Sequence, residues 1–333
     1  MLRFWRRFLV LVLLARAAWA AAPVSVIFDT DMDSDCDDAA ALAMLHALAD
    51  RGEVRILATP VSTKHTWSAP CTDAINTYFG RPDLPIGAPK KTGPAPQGSK
   101  YAKQIAAEFP HDLVSTEAAP DATEVYRRCL AAAEDASVVV VTVGDLTNLR
   151  YLLESPADAL SPLTGVELVR KKVRWWVCMG SRYPADLDPK PWGNFKMDPE
   201  STVRAVAGWP TAITFTGGGD FANLVAVGKR LSELPAKNPV RRAYELYFGG
   251  KAQDRHSADL ISVYIAARGT GAPWSLVKHG YNFIFPDGRH EWRTDSDNPR
   301  QDYISALASG VTPAAVIAEF DALVSHVPAA QRK

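Results

Sequence analysis

The sequence predicts an α/β protein built on a doubly wound, mainly parallel open sheet with flanking helices. Two observations carry this expectation. Strand and helix candidates alternate along most of the chain. Residues 137–143, SVVVVTV, are almost uniformly β-branched, as a parallel strand buried on both faces must be. Ligands of such sheets bind beyond the carboxyl ends of the strands, so the segments that follow strands are the ones to inspect for function.

Residues 1–20 read as a secretory signal peptide. They begin basic (Arg3, Arg6, Arg7), continue apolar and end in Ala18-Trp19-Ala20, a small-x-small cleavage site. The apolar run is shorter than the ~20 residues a spanning helix requires, and Arg16 interrupts it. An exported protein, periplasmic or secreted and free of the membrane after cleavage, is therefore expected. Losing the four arginines of this segment leaves 33 basic against 37 acidic residues, which is not a basis for binding nucleic acid. Residues 21–333 are expected to form a single domain, because no linker or compositional break divides them and the 47% apolar content can fill a large core. Cys36, Cys71, Cys129 and Cys178 lack CxxC spacing, so zinc is not indicated, and an exported chain could pair them in one or two disulfides.

The first strand candidate, Val24 to Phe28, is followed by a burst of carboxylates: Asp29, Asp31, Asp33, Asp35, Asp37 and Asp38. Residues 39–49 then resume as an Ala/Leu-rich helix. So many like charges in one loop call for a neutraliser, and a hard cation such as calcium or magnesium, with its preference for oxygen ligands, is the simplest. Some of the six are expected to serve instead as caps and turn formers. Further strands are expected over 54–60, 173–179 and 211–215, and helices over 68–79, 119–135 and 312–324. A Pro/Gly/Lys-rich loop should occupy 88–100 and a hairpin should turn at Pro286-Asp287-Gly288.

Five segments, in order, resemble the inosine-uridine nucleoside hydrolase family. The acidic loop reads DTDxxxDxDDAxAL from Asp29, the longer form found in a subset of that family, with Asp33 where a Gly is usual. INTYFGRPDLPIG (75–87) resembles the family's GRPDxPV turn, and GDLTNL (144–149) its GxLTN turn. GNFKMDPE (193–200) is similar to EFNxxxDPEAA, and RHSADLISVY (255–264) to HDxxAVxY. Ser62 to His65 depart from the usual Gly-Asn, Trp192 replaces a Glu that contacts the sugar's 5′ end, and Ala258 replaces a His credited with assisting the leaving base.

The resemblance implies a nucleoside hydrolase-like fold and calcium-dependent cleavage of N-ribosidic bonds in a small-molecule riboside. Asp31, Asp38, Asp259 and the Val143 carbonyl would be the metal ligands, with Asp31 also the general base. Asp37 and Asn194 would hold ribose hydroxyls, and Trp192 and His256 would meet the rest of the substrate. A calcium in that place binds ribose hydroxyls and a water together and lowers the pKa of the water. Trp175, Trp176 and Tyr183 are further candidates for stacking on the base. Two other readings stay open: a riboside-binding protein of the same fold with little turnover, and a phosphatase of the haloacid dehalogenase type using Asp29 or Asp31 as nucleophile, since VIFDTDMDS also resembles that family's first motif. The sequence leaves a homo-oligomer open.

Overall fold

A computed structural model describes residues 22–184 and 190–331; the expected signal peptide lies outside them. Among the described residues are nine strands: β1 (Val24–Asp29), β2 (Val54–Ala58), β3 (Val138–Thr142), β4 (Val173–Arg182), β5 (Ala212–Gly218), β6 (Trp274–Val277), β7 (Tyr281–Ile284), β8 (His290–Arg293) and β9 (Gln301–Leu307). Seven form one sheet in the order β2-β1-β3-β4-β5-β9-β6, and β7 pairs with β8 as a separate hairpin. All neighbours in the large sheet run parallel except β6, which runs antiparallel to β9 at the edge. Strand order reverses between β1 and β3, which places the topological switch point of the sheet there.

The β-branched pattern of the central strands feeds two cores by simple alternation. Val26 and Phe28 of β1 and Val139 and Val141 of β3 face one layer of helices, while Ile27, Val138 and Val140 face the other. The first layer contains the helices Asp37–Asp50, Ala258–Arg268 and Pro313–Val324; the second contains Ala122–Ala132, Thr147–Leu153, Gly165–Lys172 and Pro199–Gly208. The helix Asp37–Asp50 is buried at every residue from Asp37 to Leu48, packed between the sheet and the helices Ala258–Arg268, Pro313–Val324, Ser68–Tyr78 and Pro239–Phe248. Its alanines explain how: small side chains on all sides let neighbours approach from every direction, and a helix apolar all round belongs in the interior.

The expected elements are found with shifted ends. The helix expected over 119–135 runs only Ala122–Ala132, because Asp121 caps it, accepting a hydrogen bond from the Thr123 amide at 2.8 Å. The helix Pro313–Val324 starts on the Thr312 cap, and Pro286 to Gly288 do turn the β7–β8 hairpin. All four cysteines are free, and Cys36, Cys71 and Cys178 are buried, so the disulfides that were open to an exported chain do not form. Among the described residues no helix is long and apolar enough to cross a membrane.

His46 anchors the middle of the central helix. Its Nε2 lies 2.9 Å from Asn76 Oδ1, its Nδ1 lies 3.2 Å from Arg81 Nη1, and its ring stacks on Phe79 with centroids 4.7 Å apart. With Arg81 donating to Nδ1, the ring is neutral and Nε2 carries the proton. Burial, reinforced by the Arg81 charge, lowers its pKa from 6.5 to about 3. The folded-state pKa is depressed, so the stability this neutral ring contributes is complete above pH 6.5 and is lost as pH falls toward 3. His46→Gln should therefore destabilise the protein at pH 7, and the gap to wild type should narrow by up to ~1.4 kcal/mol per pH unit below 6 in denaturant titrations. A gap that does not change with pH would show that His46 is not held neutral.

Candidate active site

Beyond the carboxyl ends of β1, β3 and β4 lies a cavity of about 200 Å³. The acidic loop that forms its floor is folded by its own polar groups. Thr30 Oγ1 donates to Asp38 Oδ1, and the Met32 amide donates to Thr30 Oγ1 at 3.1 Å and to Asp38 Oδ1 at 3.3 Å. Met32 consequently takes a left-handed φ of 45°, rare for a non-glycine residue, and is fixed by Ser68 Oγ donating to its carbonyl at 3.0 Å. The turn after β3 presses against this loop at Gly144, where a Cβ would lie 2.7 Å from the Asp31 amide nitrogen and 2.3 Å from Ser62 Oγ. Glycine is required there because backbone meets backbone.

The six aspartates separate into two classes. Asp29 points into the protein: it accepts from Tyr126 Oη at 2.8 Å and from Asn148 Nδ2 at 3.0 Å, and it takes no part in the cavity. Asp33 accepts from the Gln97 amide at 2.9 Å and so pins the loop expected over 88–100. Asp31, Asp35, Asp37 and Asp38 line the cavity, joined by Asp259 from the first turn of the helix Ala258–Arg268. Carboxylate oxygens of Asp35, Asp38 and Asp259 lie within 4.8 Å of one another. Asp31, expected in this group, lines the same cavity but is not one of the three; its Oδ1 accepts from the Asp33 amide at 3.3 Å, while Asp35 is drawn in by Arg255 at 2.7 Å. Asp35 is thus the ligand candidate that sequence reasoning passed over.

These carboxylates are crowded and short of donors. Burial first, and then the neighbouring carboxylates, hold Asp31, Asp38 and Asp259 well above the usual range. Burial and Asp37 push Asp35 up to about 7 in spite of Arg255. Asp37 goes the other way: burial would raise it, but His256 and Arg255 prevail and bring it to about 2. Asp37 in turn raises His256, whose Nδ1 lies 3.2 Å from Asp37 Oδ2. That contact is an ion pair without hydrogen-bond alignment, and neither oxygen of the buried Asp37 has a hydrogen-bond partner. Buried acceptors without donors, all of them hard oxygens, fit a hard divalent cation.

The other expected residues meet in the same place. The Val143 carbonyl lines the cavity and accepts from Asn194 Nδ2 at 2.6 Å; the same nitrogen lies 3.2 Å from the Met179 carbonyl. With the amide nitrogen committed to two carbonyls, Asn194 Oδ1 is left as an acceptor with no protein partner among the described residues. Trp192 and His256 also line the cavity. Trp175, Trp176 and Tyr183 do not: Trp176 is fully buried and donates to Thr142 Oγ1, Trp175 donates to Thr214 Oγ1, and Tyr183 packs among Phe215, His290 and Tyr303. They pack in or against the core, and of the four stacking candidates Trp192 is the one that lines the cavity. Asp198, by contrast, is structural, capping the helix Pro199–Gly208 and accepting from Thr147 Oγ1 at 2.7 Å.

No protein-family model matches the chain, and no curated protein matches it in sequence. Solved structures do resemble it. A purine-preferring ribonucleoside hydrolase from Gardnerella vaginalis superposes with a TM-score of 0.65 at 14% identity, over 90% of this chain and 98% of that one. An inosine-uridine preferring nucleoside hydrolase from Bacillus anthracis gives 0.64 at 15% identity, over 90% and 97%. The type III effector protein XopQ, solved in complex with adenosine diphosphate ribose, gives 0.62 at 15% identity, over 92% and 93%. The fold is that of the nucleoside hydrolases. Of the two nucleophile candidates in the phosphatase reading, Asp29 is withdrawn behind Tyr126 and Asn148, and Asp31 lines the cavity.

Three mutually repelling carboxylates should make the metal-free protein less stable than it could be. Asp259→Asn should raise its melting temperature without added metal, yet abolish the rise expected on adding calcium, the ion the resemblance implies. In the wild type, calcium at a hundredfold excess over its Kd should contribute ~2.7 kcal/mol, or about 5 °C for a chain of this size. Scanning calorimetry with and without calcium checks both signs, and an Asp259→Asn protein that still responds to calcium as wild type does would refute the assignment.

Proposed function

We propose that this chain is an exported, calcium-dependent hydrolase of N-ribosidic bonds that releases a base and a ribose from nucleosides or related ribosides. The observation that supports this most strongly is the convergence of Asp31, Asp38, Val143, Asn194 and Asp259, from four separate segments of the chain, on one small cavity at the switch point of a nucleoside hydrolase fold. The reaction adds water across the C1′–N bond: its oxygen joins the anomeric carbon, one of its protons is taken by the enzyme, and the base departs with a proton. Asp31 is the base that takes the proton from water. Asp37 and Asn194 Oδ1 receive sugar hydroxyls, and the surrounding negative charge favours the cationic character that develops at the anomeric carbon. Asp35, Asp38, Asp259 and the Val143 carbonyl would hold calcium, and the chemistry it supplies when bound is Lewis acidity toward water and sugar hydroxyls.

A nucleoside panel incubated with the protein and calcium, assayed for free base and reducing sugar, tests the proposal. Release of neither would favour a second reading, a protein that binds ribosides and returns them uncleaved. Ala258, where a helper histidine would stand, motivates that reading, as does the fold shared with XopQ in its complex with adenosine diphosphate ribose.

The leaving group separates the two further. His256 is the histidine lining the cavity, and the Asp37 carboxylate beside it raises its pKa. His256→Ala should slow inosine and uridine by ~100-fold or more, the lower end of what a positioned acid contributes, while changing a nitrophenyl riboside, which needs no acid, by only a few fold. Equal slowing of both substrates would show that His256 serves only to hold Asp37.

A further inference from the structure

We infer that this protein carries a second ligand site, at the end of the sheet opposite the acidic cavity, and that the site takes a small aromatic carboxylate. A cavity of about 310 Å³ opens there between the helix Pro199–Gly208 and the β7–β8 hairpin, at the amino ends of β5 and β9. It is larger than the acidic cavity, and its volume suits a compact ligand. Trp209, Val206 and Ile213, all buried, make its depth apolar, and Phe283 lines it from the hairpin.

The polar groups of this cavity offer donors. Gln301, the first residue of β9, is only 8% exposed. Its Oε1 accepts from the Asn282 amide at 2.8 Å, so its carboxamide nitrogen is turned elsewhere, and among the described residues that nitrogen meets no acceptor. A largely buried N–H without an acceptor costs free energy that a ligand oxygen would recover. Asn298 repeats the pattern: its Oδ1 accepts from the Arg300 amide at 3.1 Å, and its nitrogen is left over. Arg300 commits Nη1 to the Pro210 carbonyl at 3.1 Å and pairs with no carboxylate among the described residues. No acid lines the cavity. Asp302, next along β9, lies on the other face of the sheet, where it accepts from Thr214. Of the nearby acids, Glu291 is held by Arg293, and Asp297 accepts from the Gly280 amide at 2.9 Å.

These features select a chemical class. A cation would meet a guanidinium and no counter-charge. A hydrocarbon would fill the apolar depth but leave the Gln301 nitrogen without an acceptor. An inorganic anion would satisfy the donors and gain nothing from Trp209 and Phe283. A carboxylate carried on one aromatic ring uses both halves: its ring packs against the indole and the phenyl group, and its oxygens accept from Gln301 and Arg300 in charge-assisted hydrogen bonds.

Calorimetric titration of the full chain with phenylacetate tests the assignment, with phenylacetamide as the uncharged comparison and acetate as the ringless one. Phenylacetate should bind at least ~10-fold more tightly than either. Arg300→Gln should lower its affinity about tenfold and leave that of phenylacetamide unchanged. Ala207 lies exposed at the mouth of the cavity, so Ala207→Trp should abolish binding without disturbing the core. Equal affinities for phenylacetate and phenylacetamide overturn the carboxylate, and binding that ignores Ala207→Trp overturns the site. No binding of phenylacetate overturns both. Neither residue lines the acidic cavity, so each of these outcomes leaves the ribosidase reading where it stood.

Discussion

Mutual repulsion among buried carboxylates is the constraint on which this molecule turns. Five aspartates share a cavity of about 200 Å³, and among the described residues only Asp35 and Asp37 pair with basic side chains, Arg255 and His256. Such a group cannot be kept by its own energetics; it has to be imposed by a frame stable enough to outweigh it. The seven-stranded sheet with helices on both faces is that frame. Its strands end at one edge, and each end delivers a different part of the site: the acidic loop after β1, the carbonyl of Val143 after β3, and Trp192 and Asn194 after β4.

Hydrogen bonds between those strand ends make the arrangement a unit. Asn148 donates to Asp29 and to the carbonyl of Val61, tying the helix after β3 to β1 and to the segment after β2. Thr147 reaches Asp198, and Asn194 reaches Val143 and Met179, so the segments after β3 and β4 are joined twice. None of these bonds needs a ligand. They hold the acceptors in place before anything binds, which is how a site can act electrostatically without reorganising at the moment of reaction.

Much of this was legible in the sequence, for local reasons. The run VVVVT, the acidic burst between strand and helix, the Asp198-Pro199 helix start and the Thr312 cap each state their structure within a few residues. What was not legible depends on partners far along the chain. Six aspartates in ten residues look alike until Tyr126 and Asn148, 97 and 119 residues away, withdraw Asp29 from the site. Arg255, 220 residues away, directs Asp35 into it. Strands β6 and β9 were missed because they sit toward the sheet edge, where half-buried positions mix polar and apolar residues and the alternation blurs. Trp175, Trp176 and Tyr183 illustrate the converse: an aromatic beside a strand end has no signature that separates core from cavity.

The alanine-rich helix that carries Asp37 and Asp38 has a consequence for how this protein can change over time. Its residues from Asp37 to Leu48 are enclosed on every side, so no face of it is free to drift. A single added methylene at Ala40 or Ala43 would have to be accommodated by the sheet or by a neighbouring helix, and any such shift is transmitted to the carboxylates one turn away. Selection on this helix therefore acts through volume as much as through chemistry. A lineage could lose the activity through a conservative, fully apolar exchange that touches no ligand, while loops at the rim such as residues 88–100 stay open to insertion and to the exploration of new substrates.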